Sequence, residues 1–486
     1  MFKIMIKTPV KVIYSKFACR SLHGSVRKCD KFENPFTRTF RVLKDDLSRK
    51  KQQLMQPTTS GVANVFPSHA DIVIIGGGAV GSSIAYWLKQ KTNADALKIV
   101  VVERDPTYKE CSTVLSVGGL RQQFSLPENI QLSLYGAEFL RTLKKRFGPD
   151  AETNFTPHGY LVLASEEGAQ QLMDNQKLQK ELGAVNVLLT KEKLKERFPW
   201  MNVDNVELGC LGLEKEGWFD PWSLLQILKK GAKDLGTEYI HGDVVDFNFT
   251  ARSDIMVEGT QQGSYEGINE LIVQLPNGER KPIKFAYCIL AAGGHSGEIA
   301  ELAKIGLGPG MLSVPLPVQN RKRYVFNFKC PGIPPGINTP LTVDYSGAYF
   351  RRECLGGSFI CGLSPPPEEE PIADNLEMDH SYFDEKIWPI LANRVPAFES
   401  IKVTGGWSGY YDYNCFDQNG IIGPHPYYFN MYIATGFSGH GIQQAPAVGR
   451  AVAELILDGR FQTIDLSRFS FDRLIVDKPM FEIGIY

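Results

Sequence analysis

The chain contains no CxxC pair, although it has nine cysteines dispersed over 486 residues. An odd, scattered set fits a reducing compartment rather than a disulfide framework, and it leaves a structural zinc site without ligand spacing. No run of about 18 apolar residues occurs, so no membrane span is expected. The formal net charge is −1, which gives no electrostatic basis for nucleic-acid binding, because that relies on clustered Lys and Arg. No repeat of solenoid type is present. Acid is missing from Met1 to Cys29, while Lys3, Lys7, Lys11, Lys16, Arg20, Arg27 and Lys28 are basic. Phe2, Ile6, Val10, Ile13 and Phe17 share one side of a helical wheel there, the pattern of a mitochondrial targeting helix. Pro9 would interrupt such a helix, and a disordered basic tail is the alternative.

What is present has the balance of an ordinary globular protein, 43 % hydrophobic and 22 % charged residues, with length for two or three units. Residues 30–69 mix charge with small polar residues and proline and read as a linker. The globular part is expected to begin near His69. From Asp71 the string "DIVIIGGGAVGSSIAYWLKQ" runs from a buried strand through glycines into a helix, and "KIVVVERD" supplies a second strand ending at Glu103. Gly76, Gly78 and Gly81 fit G-x-G-x-x-G, a weak pattern alone but specific in a strand–helix–strand unit with an acid about 20 residues on. Gly76 allows the tight turn, Gly78 lets the backbone approach a pyrophosphate, and Gly81 permits close helix packing. Glu103 can accept from a ribose, and the helix N-terminus attracts phosphate. The motif alone does not choose between NAD and FAD.

Farther along, Asp220-Pro221 predicts a helix start with Leu224, Leu225, Leu228 and Leu235 facing inward before Gly236. Pro276-Asn277-Gly278 predicts a hairpin, "SPPPEEEPIADN" a surface loop, and residues 310–365 a β-rich stretch. Near the end, "YIATGFSGHGIQQAP" (432–446) reads as strand, glycine loop and helix, able to hold an anion, expose His440 or merely turn the chain.

Several longer strings settle the ambiguity: "CSTVLSVGGLRQQFS", "GWFDPWSLLQ", "ILAAGGHSGEIA", "GAYFRRE", "GGWSGYYDYNCFDQNGIIGPHP" and "ATGFSGHGIQQAP". Over residues 70–465 the chain resembles the D-amino-acid oxidase and sarcosine dehydrogenase family of flavoproteins. "VVERDPTY", "EGWFDPW", "GYYDYN" and "GRFQTIDLS" resemble a mitochondrial branch of it associated with assembly of respiratory complex I.

The resemblance implies an α/β fold. A discontinuous Rossmann-like FAD-binding domain (70–150, 219–300 and 401–465) would interleave with a mainly antiparallel β-sheet substrate domain (151–218 and 301–400), and residues 466–486 would form a C-terminal tail. It assigns Gly76, Gly78, Gly81, Glu103, Arg104 and Val244 to the ADP half of FAD. Ser112, Thr113 and the Ser116–Arg121 loop with Gly118 and Gly119 would line the diphosphate and isoalloxazine, and Ala292 and Gly293 would lie beside the nucleotide. Gly436, Ser438, Gly439, His440, Gly441 and Ile442 would lie against the pyrimidine edge, with glycine N–H groups approaching the ring and a helix from about Gln443 pointing its dipole at it. His440 would shape that wall rather than act as a base.

Ser116 stands where covalently flavinylated relatives carry histidine, so the resemblance implies non-covalent FAD. No lysine occurs in Gly356–Gly362, where the oxidases carry one, which implies a dehydrogenase. The substrate-anchoring lysine and arginine of sarcosine oxidases match Gln443 and Phe124, whereas Arg121 matches the flavin-proximal arginine. Arg121 and Gln443 are therefore the candidates for a catalytic role. Arg323 and Arg351 are candidates for a carboxylate clamp or ordinary ion pairs. Tyr410 and Tyr411 either face substrate or pack, and His295 is expected to cap a following helix. The expected partners are complex I subunits or assembly intermediates, a small amine or amino-acid-like substrate and an unidentified electron acceptor. The expected location is the matrix side of the mitochondrion, peripheral to the inner membrane. An assembly factor keeping FAD as a structural element is the alternative to a dehydrogenase.

Overall fold

A computed structural model describes residues 66–92, 96–257, 263–353 and 355–484. The targeting segment 1–29 and all but the last few residues of the linker lie outside the described residues. The first strand among the described residues is His69–Ile75, where the change in sequence texture places the start of the globular part.

Two large sheets organise the chain. In the first, His69–Ile75, Ile99–Glu103, Glu238–His241, Arg280–Leu290 and Met431–Thr435 run parallel, and Ile421–Pro424 closes one edge antiparallel. The strand sequences DIVII and IVVVE are almost wholly buried, as a parallel sheet covered on both faces requires. Glu238–His241 and Asp243–Ala251 part at Gly242, whose N–H donates to the Glu103 carbonyl at 3.0 Å. Beyond it Asp243–Ala251, Glu266–Gln274 and Arg280–Leu290 form an antiparallel meander, whose last turn is the expected hairpin with Gly278 at φ +83°.

The second sheet has the spatial order Lys402–Asn414, Val318–Lys329, Ser358–Gly362, Tyr349–Glu353, Leu341–Val343, Tyr160–Ala164, Leu208–Gly212 and Asn186–Thr190. Every pairing is antiparallel except Leu341–Val343 with Tyr160–Ala164. The expected α/β architecture with an interleaved, mainly antiparallel second sheet is therefore present. Its last boundary shifts, because Lys402–Asn414 pairs along its length with Val318–Lys329. The second sheet thus ends at Asn414 rather than at 400.

The helix Ala79–Lys91 is buried on nearly all sides. It packs against Pro127–Arg141, Pro221–Asp234 and Gly441–Asp458, with Trp87 Nε1 donating to the Pro446 carbonyl at 2.9 Å. Asp220 caps Pro221–Asp234 by accepting from the N–H groups of Trp222 and Ser223, and Leu224, Leu225 and Leu228 are fully buried. Leu235 is only half-buried because the helix ends at Asp234, one residue before it.

Two buried ion pairs join distant segments. Arg394 Nε reaches Asp344 at 2.6 Å while its Nη1 donates to the Asn202 carbonyl. Arg473 binds both Asp417 oxygens, at 2.7 and 3.0 Å. The expected tail is thus packed, with Phe469 and Phe471 in the core.

Candidate functional site

A cavity of about 790 Å³ is lined by residues of both sheets. At its nucleotide end, Gly76 turns the chain at φ +100° between the first strand and the helix Ala79–Lys91. A Cβ on Gly81 would lie 1.9 Å from the Gly76 carbonyl, so this glycine is demanded by the helix crossing its own loop. Gly78 differs. Its φ of −64° suits any residue, and a Cβ would meet only Thr113 Oγ1 at 3.4 Å and Cys111 Sγ at 3.5 Å. Protein packing leaves room at Gly78 beside the cavity, and a group approaching the helix N-terminus is what a side chain there would obstruct.

Glu103 closes the loop. Its two oxygens accept from Gly77 N at 2.7 Å and Asp105 N at 2.8 Å, which leaves a second lone pair on each for a ribose hydroxyl. Burial raises its pKa despite these donors. Thr113 Oγ1 accepts from Ala79 N at 3.1 Å, and Ser116 Oγ accepts from Gly118 N at 3.1 Å. Both hydroxyls therefore shape the wall while holding backbone. Arg104 donates to His295 Nε2 at 2.7 Å, which places the ring proton on Nδ1 facing Glu298 at 3.1 Å. His295 therefore links Arg104 to Glu298 and makes no side-chain cap, contrary to the expectation. The linkage is possible because Arg104, distant in sequence, reaches over the helix start.

At the opposite end the helix Gly441–Asp458 begins two residues before Gln443. The loop before it is clamped by Asp412, whose Oδ2 accepts from Gly436 N and Phe437 N, both at 3.0 Å. The N–H of Gly436 is thus spent on a carboxylate rather than offered to a ring, which corrects that part of the expectation. Gly439 is glycine for packing, since a Cβ there would sit 2.6 Å from the Tyr411 ring. Burial raises Asp412 to about 6 against these donors. Its signal in the sequence was a lone acid within the aromatic run "WSGYYDYN".

Arg121 joins this wall to its own loop. Its N–H donates to Gln443 Oε1 at 2.8 Å and its Nη2 donates to His440 Nε2 at 3.1 Å. The guanidinium carbon lies 5.0 Å from the centre of the Phe124 ring and 6.0 Å from that of Tyr160. Burial first and the Arg121 charge second hold His440 down to about 3, so it is a neutral acceptor and a poor base. Gln443 stands where a substrate-binding lysine was expected to be missing, and it fixes the Arg121 backbone instead.

The residues match the FAD dependent oxidoreductase (DAO) family model from residue 71 to residue 455. The chain belongs to this family. It is 49 % identical over 479 residues to the FAD-dependent oxidoreductase domain-containing protein 1 homolog of Drosophila melanogaster, covering 93 % of this chain and 92 % of that one. It is 24 % identical to mitochondrial sarcosine dehydrogenase of Homo sapiens over 85 % of this chain and 42 % of that protein. Among solved structures, L-proline dehydrogenase from P. horikoshii matches with a TM-score of 0.68 at 24 % identity, covering 85 % of this chain and all of that one. FAD is the cofactor of the family, and the Gly78 opening, the Glu103 carboxylate and the 790 Å³ volume fit it.

Within that frame, Arg121, Gln443, Gly76, Gly78, Glu103, Arg104, Ser112, Thr113, Ser116, Gly119, Val244, Ala292, Gly293, Ser438, Gly439, His440, Gly441 and Ile442 all line the cavity. Gly81, Gly118 and Gly436 stand behind its wall, where glycine serves close packing; a Cβ on Gly118 would lie 1.9 Å from the Phe219 carbonyl. Tyr410 and Tyr411 line the cavity as well. Arg351 donates to the Val117 carbonyl and pairs with Glu353, so it braces the Ser116–Arg121 loop. Among the described residues lining the cavity none is lysine, and no described cluster of His, Cys, Asp and Glu has the makings of a metal site. No helix among the described residues is long and apolar enough to cross a membrane.

Sequence reasoning missed Glu216, present only as the first letter of "EGWFDPW". Its oxygens accept from Gln122 N at 2.7 Å and Gln123 Nε2 at 2.9 Å, beneath the Arg121 loop. Burial lifts it from 4.5 to about 7, while these donors and Arg121 oppose the rise. A raised folded-state pKa favours the neutral acid, so stability is greatest below about pH 4.5 in this term. It falls as pH climbs to about 7, by on the order of 3 kcal/mol. In Glu216→Gln this slope should vanish. Urea midpoints at pH 5 and pH 8 should then differ less than in the parent, and an unchanged difference would remove Glu216 as its source.

Proposed function

We propose that the chain is a mitochondrial FAD-dependent dehydrogenase that oxidises a secondary amine or amino-acid-like substrate and supports assembly of respiratory complex I. The observation that carries the catalytic part is the Arg121–His440–Gln443 arrangement at the start of a buried helix. Bound FAD supplies the acceptor for hydride from the carbon next to an amine nitrogen. The chain's own share is electrostatic. Arg121, permanently charged, and the first-turn N–H groups of Gly441–Asp458 present positive potential to one wall. His440 keeps the guanidinium in place without adding a second charge, and Gln443 fixes the backbone that carries it. Buried Tyr160 and half-buried Tyr349 and Tyr411, with pKa values raised first by desolvation, keep their hydroxyls protonated at this end.

Sarcosine dehydrogenase and L-proline dehydrogenase, as relative and structural neighbour, support the amine class, and the lysine-free lining supports a dehydrogenase over an oxidase. The acid-free, basic N-terminal segment supports the matrix location. The resemblance of "VVERDPTY" and "GRFQTIDLS" to the complex I-associated branch supports the partners, complex I subunits or assembly intermediates, with the protein peripheral to the inner membrane. A second reading, an assembly factor in which FAD is structural, is favoured by Phe124 and Gln443, which replace both substrate anchors with groups committed to protein contacts.

Anaerobic titration of the purified holoprotein with N-methyl amino acids, cyclic secondary amines and primary amino acids separates the two. Bleaching of the flavin band by one class is the expected result, followed by slow recovery in air and fast recovery with a quinone or protein acceptor. A flavin inert to the whole panel would favour the structural reading.

A further inference from the structure

The cavity carries a second charged site besides Arg121, on the substrate sheet. Arg321 and Arg323 project from the strand Val318–Lys329, whose register places them beside Tyr411 and Gly409. Both guanidinium groups converge on one carboxylate. Glu370 Oε1 accepts from Arg321 Nη1 at 2.7 Å and from Arg323 Nη2 at 2.8 Å, and its Oε2 accepts from Arg323 Nη1 at 2.7 Å. Aromatic rings fix the arginines from below, with Tyr413 centred 4.0 Å from the Arg321 carbon and Tyr411 centred 5.4 Å from that of Arg323.

Glu370 does not belong to the sheet. It lies in the "SPPPEEEPIADN" segment, whose prolines and like charges predict a surface loop. Ser364, Pro365, Pro367 and Glu370 instead line the cavity. Its other ties are few: Glu369 meets Lys386 where both side chains are about two-fifths exposed, Asn375 Oδ1 accepts from Lys322 Nζ at 3.4 Å, Pro365 is buried, and Ile372 is 77 % exposed. A single ion pair would suffice to anchor a loop. Two arginines for one carboxylate leave an excess positive charge at the cavity wall, and Arg323, over nine-tenths buried, keeps its Nε without a partner. Burying such excess is costly unless an anion serves it. Meanwhile the flavin-side positions Gln443 and Phe124 offer no cation to a substrate carboxylate.

We propose that Arg321 and Arg323 form an anion subsite for a substrate carboxylate, that Glu370 fills it from within the chain, and that an acidic ligand displaces Glu370 and releases the 364–375 segment as a lid. The substrate class is then an amine bearing a carboxylate that reaches the Arg321–Arg323 wall. This rests on reading the cavity as a substrate cavity.

The test uses holoprotein and calorimetric titration with acetate, succinate and glutarate at constant ionic strength. Because Glu370 competes for the site, Glu370→Gln should tighten glutarate binding by about tenfold or more. The double variant Arg323→Gln/Glu370→Gln, which removes the buried arginine together with its carboxylate and leaves only the more exposed Arg321, should lose it while keeping flavin content and melting temperature. Glutarate should also speed thermolysin cleavage within residues 370–376 of the parent. Glutarate binding no tighter in Glu370→Gln, or undiminished in the double variant, would overturn the subsite, and unchanged cleavage would overturn the lid. Should amines bleach the flavin regardless of Arg323 and Glu370, the subsite fails while catalysis stands. Should glutarate follow the expected pattern over an inert flavin, the subsite stands and the catalytic reading fails.

Discussion

Gly78→Leu should yield a folded, soluble protein that has lost its flavin. Two glycines of one motif differ in what surrounds them. Gly81 meets backbone, with the Gly76 carbonyl 1.9 Å from any Cβ, and neither atom can yield without pulling the helix off its strand. Gly81→Ala should therefore lose stability outright and lower the yield of soluble protein. Gly78 meets nothing closer than 3.4 Å and adopts a conformation open to any residue. A leucine there extends between Thr113 and Cys111 into the cavity, where the pyrophosphate would approach the helix N-terminus. The expected loss of FAD affinity exceeds about 100-fold, roughly 2.7 kcal/mol. Flavin absorbance per chain and fluorescence titration with FAD measure it, while circular dichroism verifies the fold. A yellow Gly78→Leu protein with parental affinity would show that the pyrophosphate lies elsewhere.

The same contrast explains how much was legible in the sequence. Glycine spacing, the apolar strands flanking it and Glu103 are local signals, and each appears where expected because one strand–helix–strand unit determines it. The Asp220 cap and the Pro276–Gly278 turn were legible for the same reason. Contacts made across the chain were not. Nothing near Asp412 announces that its carboxylate will take two N–H groups from residues 436 and 437. Glu216 and the Arg121 loop are separated by over 90 residues. The resemblance carried Arg121, Gln443 and His440 to one place, but only geometry showed that Gln443 and His440 both serve Arg121. The Glu-rich loop was read as surface because three like charges beside prolines usually are solvated. Glu370 departs from this because two arginines of a neighbouring strand wait for it.

Arg121→Met should slow flavin reduction by about 10²–10³-fold, the typical loss when one preorganised charge donor is removed, or about 3–4 kcal/mol. Methionine keeps a long unbranched side chain beside the Phe124 and Tyr160 rings, and because removing the charge that faces buried Glu216 costs stability, flavin content and circular dichroism are measured alongside the rate. A merely structural role for Arg121 would change the rate without changing the cofactor's electronics. The discriminating measurement is therefore the two-electron midpoint potential of the bound flavin, which should fall by about 60–90 mV, because about 30 mV corresponds to 1.4 kcal/mol. Loss of the guanidinium also withdraws one of the groups that hold Glu216 down, so its pKa should rise above about 7 and the acid limb of the stability profile should extend to higher pH. Arg121→Lys keeps the charge but not the fork that reaches His440, and it should restore most of the potential with only part of the rate. A potential unmoved in Arg121→Met would mean that this charge does not act on the ring, and the dehydrogenase reading would lose the observation that carries it.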